Sequence, residues 1–187
     1  MDILPLFPTN IFKKKCNLNL ESIKAMCYDH CLDNPSVTIS NVGGYQGQNF
    51  HSTELTNEIV SSLPRSNNKV LTEIEIYQWL NINKFGNSNS THNHNPFDGI
   101  ALSGVFYVSA PPNCGSIVFY DPRNLITTSL DQIYYNNGND CFLIEPEENL
   151  LLIFPSWLYH SVDPNHSNED RISISFNIRL TYTDADF

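Results

Sequence analysis

One segment near the end constrains the fold more than any other part of this 187-residue chain. Over residues 171–181, Ile172, Ile174, Phe176, Ile178 and Leu180 alternate without interruption with Arg171, Ser173, Ser175, Asn177 and Arg179. Period-two alternation of this length predicts a β-strand with one apolar and one polar face. A helix is excluded, because a 3.6-residue period would scatter the aliphatic residues around its surface. The polar face admits two readings: it lies in water, or it lines a polar pocket inside a small barrel. Alternation alone does not choose between them.

Upstream segments repeat the signal. Thr72, Ile74, Ile76, Leu80 and Ile82 alternate with Glu73, Glu75, Tyr77, Trp79, Asn81 and Asn83, with a break at Gln78. Residues 102–108, 116–120, 141–144, 150–154 and 159–162 are shorter strand candidates. Turn markers such as Pro111-Pro112, Asn136-Asn137-Gly138 and Asp163-Pro164 separate them. Many short strands at close spacing predict a β-sandwich or barrel. Two segments instead carry helical spacing: residues 19–32, with Asn19 as cap, and residues 52–63. The expectation is a mainly β single domain spanning 1–187. An N-terminal arm and two helices occupy 1–65, outside a core at 70–183. Residues 1–18 read as an irregular arm with Lys13-Lys14-Lys15 in a solvated turn, and 40–50 as a turn-rich connector. Residues 123–139 read as a long loop suited to a lid.

Charge narrows the function. Twenty Asp and Glu stand against ten Lys and Arg, a net charge of -10. Such a chain gains no electrostatic help onto phosphate backbones or anionic lipid, which disfavours nucleic-acid and membrane partners. The 24 Asn residues read first as compositional bias. Five cysteines (Cys16, Cys27, Cys31, Cys114 and Cys141) have no paired spacing and suit a reducing compartment. Cys27-x3-Cys31 lacks the second pair that would close a zinc site. The N-terminus has no basic-then-apolar leader, and no apolar run reaches the roughly 20 residues needed to cross a bilayer. The expected setting is the cytoplasm.

The chemistry concentrates in histidines. His92-x-His94 places two imidazoles on one side of an extended segment, and His160 follows a long apolar strand and a Pro turn. Three such nitrogens form a face on a metal and leave its other positions open. Arg171 comes 11 residues after His160, with Ser173 two further on. An Arg and a hydroxyl on one inward face suit a carboxylate.

With these residues in hand, the chain resembles the Fe(II)/2-oxoglutarate-dependent oxygenases. Their fold is a double-stranded β-helix, a jelly roll. Their pattern is His-x-Asp/Glu, a distal His, and Arg-x-Ser about ten residues later. More narrowly, it resembles a 2-oxoglutarate–Fe(II) oxygenase family of marine bacteria and cyanophages. Matching pieces run in order from Leu6-Phe7-Pro8-Thr9 through Asn41-Val42-Gly43-Gly44-Tyr45, Trp79-Leu80-Asn81-Ile82-Asn83 and His92-Asn93-His94. They continue with residues 102–108, Gly115, and residues 119–123, 152–160 and 171–177. The departure from the wider superfamily is His94, where a carboxylate is usual; the narrower family shares this His-x-His.

The resemblance implies Fe(II) on His92, His94 and His160. It implies 2-oxoglutarate as co-substrate, its distal carboxylate on Arg171 and Ser173. It also implies hydroxylation of a second substrate, small molecule or protein, with release of succinate and CO2. In the nucleic-acid-repair branch of the superfamily, a similarly spaced Asn-x-Tyr and Gly contact 2-oxoglutarate. By that analogy Asn83 is a co-substrate contact; otherwise it is an inward polar strand residue. A phage-encoded protein would act in the host cytoplasm, and a homodimer is compatible with such folds. Two alternatives stay open. Three neutral ligands also resemble cupin-type thiol dioxygenases that use no 2-oxoglutarate, and a jelly roll can serve as a non-catalytic metal-binding or structural module.

Overall fold

The alternating segments assemble into two facing antiparallel sheets. The computed structural model describes residues 7–64, 69–94, 99–123 and 141–184. In chain order the elements are β1 (Phe12–Lys15), α1 (Leu20–Asp33), β2 (Asn41–Val42), β3 (Tyr45–Phe50), α2 (Thr53–Ser62) and β4 (Lys69–Asn83). They continue with β5 (Ser88–His92), β6 (Ile100–Ser109), β7 (Ile117–Tyr120), β8 (Cys141–Ile144), β9 (Leu150–Pro155), β10 (His160–Val162) and β11 (Arg171–Asp184). The major sheet has the order β1-β9-β6-β11-β4-β3 and the minor sheet β2-β5-β10-β7-β8. This is the expected mainly β jelly roll with two helices outside it.

The two faces of β11 take opposite partners. Ile172, Ile174, Phe176 and Ile178 are fully buried against Leu80 and Ile82 of β4 and the helix residues Ile23, Cys27, Leu55 and Ile59. Each such side chain contributes about 1.5–3 kcal/mol on burial. The polar face turns the other way, into the space between the sheets. Registry fixes what stands beside it: Arg171 pairs with Asn83, Ser173 with Asn81 and with Tyr107, and Ser175 with Trp79. The ambiguity left by alternation is thereby resolved, because the helices occupy the apolar side. A second apolar cluster, including Val105, Leu152, Phe154, Ile117 and Phe119, joins the sheets.

Gln78, the break in the β4 pattern, lies on the helix side of the sheet. Its carboxamide donates to Thr56 Oγ1 at 2.7 Å and accepts from the Ser52 N–H at 3.2 Å. It therefore anchors the start of α2, whose cap is Ser52. Asn19 caps α1 as expected, accepting from Ser22 N.

Two N-terminal segments differ from expectation. The lysines form not a turn but edge strand β1, paired with β9. A four-residue Phe-Lys-Lys-Lys segment has no alternation to reveal this; β9 supplies its ladder, and lysines on an edge discourage further pairing. Lys14 pairs with Glu58 at 2.7 Å, and Lys15 with Glu147 at 3.3 Å. Residues 40–50 are also not merely a connector. β2 joins the minor sheet and β3 the major, and Gly43 and Gly44, at φ +68° and +70°, make the reversal between them. The expected lid at 123–139 lies outside the described residues except for Arg123, which donates two side-chain bonds to Asp121. No helix among the described residues is long and apolar enough to cross a membrane.

Candidate active site

The fold gathers the three histidines at one end of the space between the sheets. His92 ends β5, His160 opens β10, and the two stand opposite each other in register. His94 lies just past β5, held by its backbone N–H to Ser156 O at 2.8 Å. Ring centroids are 4.4 Å apart for His92 and His160, 5.2 Å for His92 and His94, and 5.3 Å for His94 and His160. One ring nitrogen of each lies within 4.8 Å of those of the other two.

Hydrogen bonds fix two of the tautomers. His92 Nδ1 meets Ser90 O at 2.7 Å, and His160 Nδ1 meets Leu158 O at 2.9 Å. A carbonyl oxygen only accepts, so each Nδ1 carries the proton and each Nε2 keeps a lone pair for a cation. Burial holds all three rings neutral. It lowers the His94 pKa to about 3, helped by His160 and His92, and that of His160 to about 4, helped by His92. His92 is lowered too, by burial against the opposing pull of its Ser90 bond. Three neutral, oriented imidazoles fit Fe(II), which binds nitrogen donors and leaves open positions in such a face.

Deeper in, the polar face of β11 lines a narrow slot shared with the histidines. It leaves about 40 Å³ for the centres of water-sized atoms, which suits a slim unbranched chain. Its walls include Asn81, Tyr107, Arg171 and Ser173. Arg171 is only 1% exposed. Its Nη1 donates to the backbone carbonyls of Cys114, Gly115 and Asp163. Its Nη2 is buried with no partner, and no carboxylate among the described residues lies within salt-bridge reach of it. Burial pulls its pKa down, yet guanidinium stays charged at any working pH. An unpaired buried cation is costly. A ligand carboxylate would remove that cost, so the residues present fit the distal end of 2-oxoglutarate.

The carbonyl cage explains Gly115. Its φ is +87°, and a Cβ there would strike the backbone oxygens of Asp163 and Pro164. Only glycine lets the loop before β7 approach the loop after β10 closely enough for both to accept from Arg171. Asn165, fully buried, ties the second loop to β4 through a bond from its Nδ2 to Asn83 O at 2.8 Å. Gly115 stands out in the sequence only as one piece of the family resemblance and Asn165 not at all, because the cage forms between distant loops.

Other candidate positions scatter. Asn83 is buried and opposite Arg171, but it is not on the slot wall; Asn81 is. The Asn81 carboxamide donates to Ser175 Oγ at 3.0 Å and leaves its oxygen without a partner. Tyr107 is 2% exposed and lines the slot, with burial raising its phenol pKa. Trp157 is 40% exposed; Trp79 is the tryptophan at the site, 5.6 Å from His94. His166 is exposed, with Phe85 edge-on to it. The five cysteines are free, and Cys31 donates to the Cys27 carbonyl.

A family model described as "Putative 2OG-Fe(II) oxygenase" matches residues 77–177, more than half of the chain. That span includes all three histidines, Arg171 and Ser173. A prolyl-4-hydroxylase of Pseudomonas putida is similar in structure, with a TM-score of 0.61 at 16% identity over 91% of this chain and 92% of its own. The viral collagen prolyl hydroxylase of Paramecium Bursaria Chlorella virus-1, a 2OG complex, gives 0.58 at 14% identity over 90% and 94%. HygX of Streptomyces hygroscopicus, with nickel and 2-oxoglutarate bound, gives 0.63 at 9% identity over 91% and 83%. At such identities the likeness is one of fold. No curated protein matches the sequence.

Proposed function

This chain belongs to the 2OG-Fe(II) oxygenase family, an enzyme family whose cofactors are Fe(II) and 2-oxoglutarate, and we propose which of its residues hold them. His92, His94 and His160 bind Fe(II) through a facial set of imidazoles, with Nε2 the ligand atom of His92 and His160. Arg171 Nη2 and the Ser173 hydroxyl bind the distal carboxylate of 2-oxoglutarate. The whole chain acts as one domain, with 70–183 as the core that carries the site. The observation that carries this assignment is the orphaned, buried Nη2 of Arg171 in the same slot as three neutral imidazoles.

When bound, Fe(II) and 2-oxoglutarate supply the oxidant: one atom of dioxygen goes to succinate, with loss of CO2, and the other to a substrate C–H bond. The remaining work belongs to the protein. Ser90 and Leu158 carbonyls orient His92 and His160, and Ser156 fixes the backbone of His94. The Cys114, Gly115 and Asp163 carbonyls aim the guanidinium. Phe154 and Phe119, packed against His160, keep water from its flank. The substrate is a small molecule or protein rather than a nucleic acid, given the net charge of -10.

Anaerobic titration tests the assignment. Fe(II)-loaded protein given 2-oxoglutarate should develop a weak visible charge-transfer band. Folded, iron-loaded protein that shows no such band would sink the co-substrate role. Oxygen uptake without succinate would point instead to a three-His dioxygenase that binds its substrate directly.

A further inference from the structure

A second, wider space opens beside the histidines. This cleft of about 630 Å³ shares Ser40, Trp79, His92 and His94 with the inner slot. Its chemistry is uniform. Among the described residues lining it there is no Lys, Arg, Asp or Glu. Carboxamides dominate instead: Gln46, Gln48, Asn49, Asn93 and Asn177. In a chain of net charge -10, a cleft of this size whose described lining carries no ionic group is a selective feature.

Gln46 shows that the lining is incomplete without a ligand. It is only 3% exposed, and its carboxamide oxygen has no hydrogen-bond partner. It stands opposite Asn81 in the β3–β4 register, so its side chain shares the inward face with the slot. An unsatisfied buried carbonyl costs about 1–3 kcal/mol. 2-Oxoglutarate, a dianion at neutral pH, has no N–H or O–H to offer this oxygen. A substrate N–H would satisfy it.

We infer that this cleft receives an uncharged stretch of polypeptide, whose peptide units are read by Gln46 and the neighbouring carboxamides. This rests on the oxygenase reading of the adjoining slot. A carboxamide carries one donor group and one acceptor side by side, which is the complement of a peptide unit in either direction. A glycan fits less well, because vicinal hydroxyls are gripped best by carboxylates and none is among the described lining residues. Nucleic acid and acidic metabolites find no cationic side chain among the described lining residues. Tyr77 and Trp79, two apart on β4 and both lining the cleft, add an aromatic wall for side chains of the bound segment. Arg179 lies 5.7 Å over the Tyr77 ring and, like the Tyr77 hydroxyl, donates to Glu75, so that wall is held in place.

Trp79 reports occupancy once Trp157→Phe removes the other tryptophan. Anaerobic protein loaded with Fe(II) and 2-oxoglutarate is titrated with acetyl-(Ala-Gly)3-amide, with the same peptide carrying two Glu, and with maltotriose. The neutral peptide should change Trp79 fluorescence saturably, with the acidic peptide about tenfold weaker because its charges must be desolvated. Gln46→Leu should weaken the neutral peptide about tenfold, the worth of one hydrogen bond at a buried site. Gln48→Lys, at an exposed position that does not threaten folding, should shift preference toward the acidic peptide. The inference is overturned by maltotriose binding in preference to peptide, by equal binding of both peptides, by a neutral peptide with no saturable effect, or by indifference to both variants. 2-Oxoglutarate binding followed in the same samples separates the two levels. Its failure sinks the oxygenase assignment, whereas peptide failure with 2-oxoglutarate bound sinks this inference alone.

Discussion

Replacing Arg171 by Met removes the only cationic side chain among the described residues of the slot while keeping much of its apolar bulk. Nη1 is committed to three backbone carbonyls, so Nη2 is the donor left for a carboxylate. One charge-assisted bond is worth about 1.5–3 kcal/mol, and truncating one side of a buried charge pair costs about 2–5 kcal/mol. At 1.4 kcal/mol per decade, the 2-oxoglutarate Kd should rise between about 30-fold and several thousand-fold. Fe(II) affinity should not change, since the imidazoles are positioned by Ser90, Leu158 and Ser156 rather than by Arg171. Anaerobic calorimetry on the iron-loaded variant measures both quantities. Arg171→Lys should recover only part of the loss, because an ammonium cannot reach three carbonyls and a ligand with the same planar fork. A folded Arg171→Met protein that binds 2-oxoglutarate as tightly as the parent would refute the reasoning.

Three further outcomes follow from the same geometry. His160→Ala should weaken Fe(II) by roughly 100-fold or more, beyond the 10–100-fold typical of losing an outer-shell partner, whereas His94→Asp should retain the metal; equilibrium dialysis reads both. Gly115→Ala should destabilise the fold by about 1–3 kcal/mol and weaken 2-oxoglutarate as well, because the Arg171 cage must open; denaturant melts and calorimetry test the two effects. Metal-free protein should lose stability in acid. His94 and His160 stay neutral when folded down to about pH 3 and 4, while the unfolded chain takes up protons near 6.5. Their contribution is therefore complete above pH 6.5 and is lost as pH falls toward those folded values. The slope is on the order of 1 kcal/mol per pH unit for each His, measurable by urea midpoints between pH 7 and 4.

The sequence by itself determined the strand content and which side chains share a face. Period two in β11 is a local property, and so is the cap Asn19; neither needs a distant partner to be read. It also brought His92, His94, His160, Arg171 and Ser173 into one candidate set through the spacing of a resemblance. Only the tertiary structure decided that the polar face of β11 turns inward, because that depends on which side the helices cover. It also decided that Asn81 rather than Asn83 lines the slot, although the two share a face of β4. How deep each sits between the sheets is set by packing across β3, β4 and β11, not by alternation. The cage of Cys114, Gly115 and Asp163 around one guanidinium, and the unpaired carboxamide of Gln46, belong wholly to this second category. Backbone carbonyls carry no sequence signature, and an unsatisfied atom is defined only by what surrounds it.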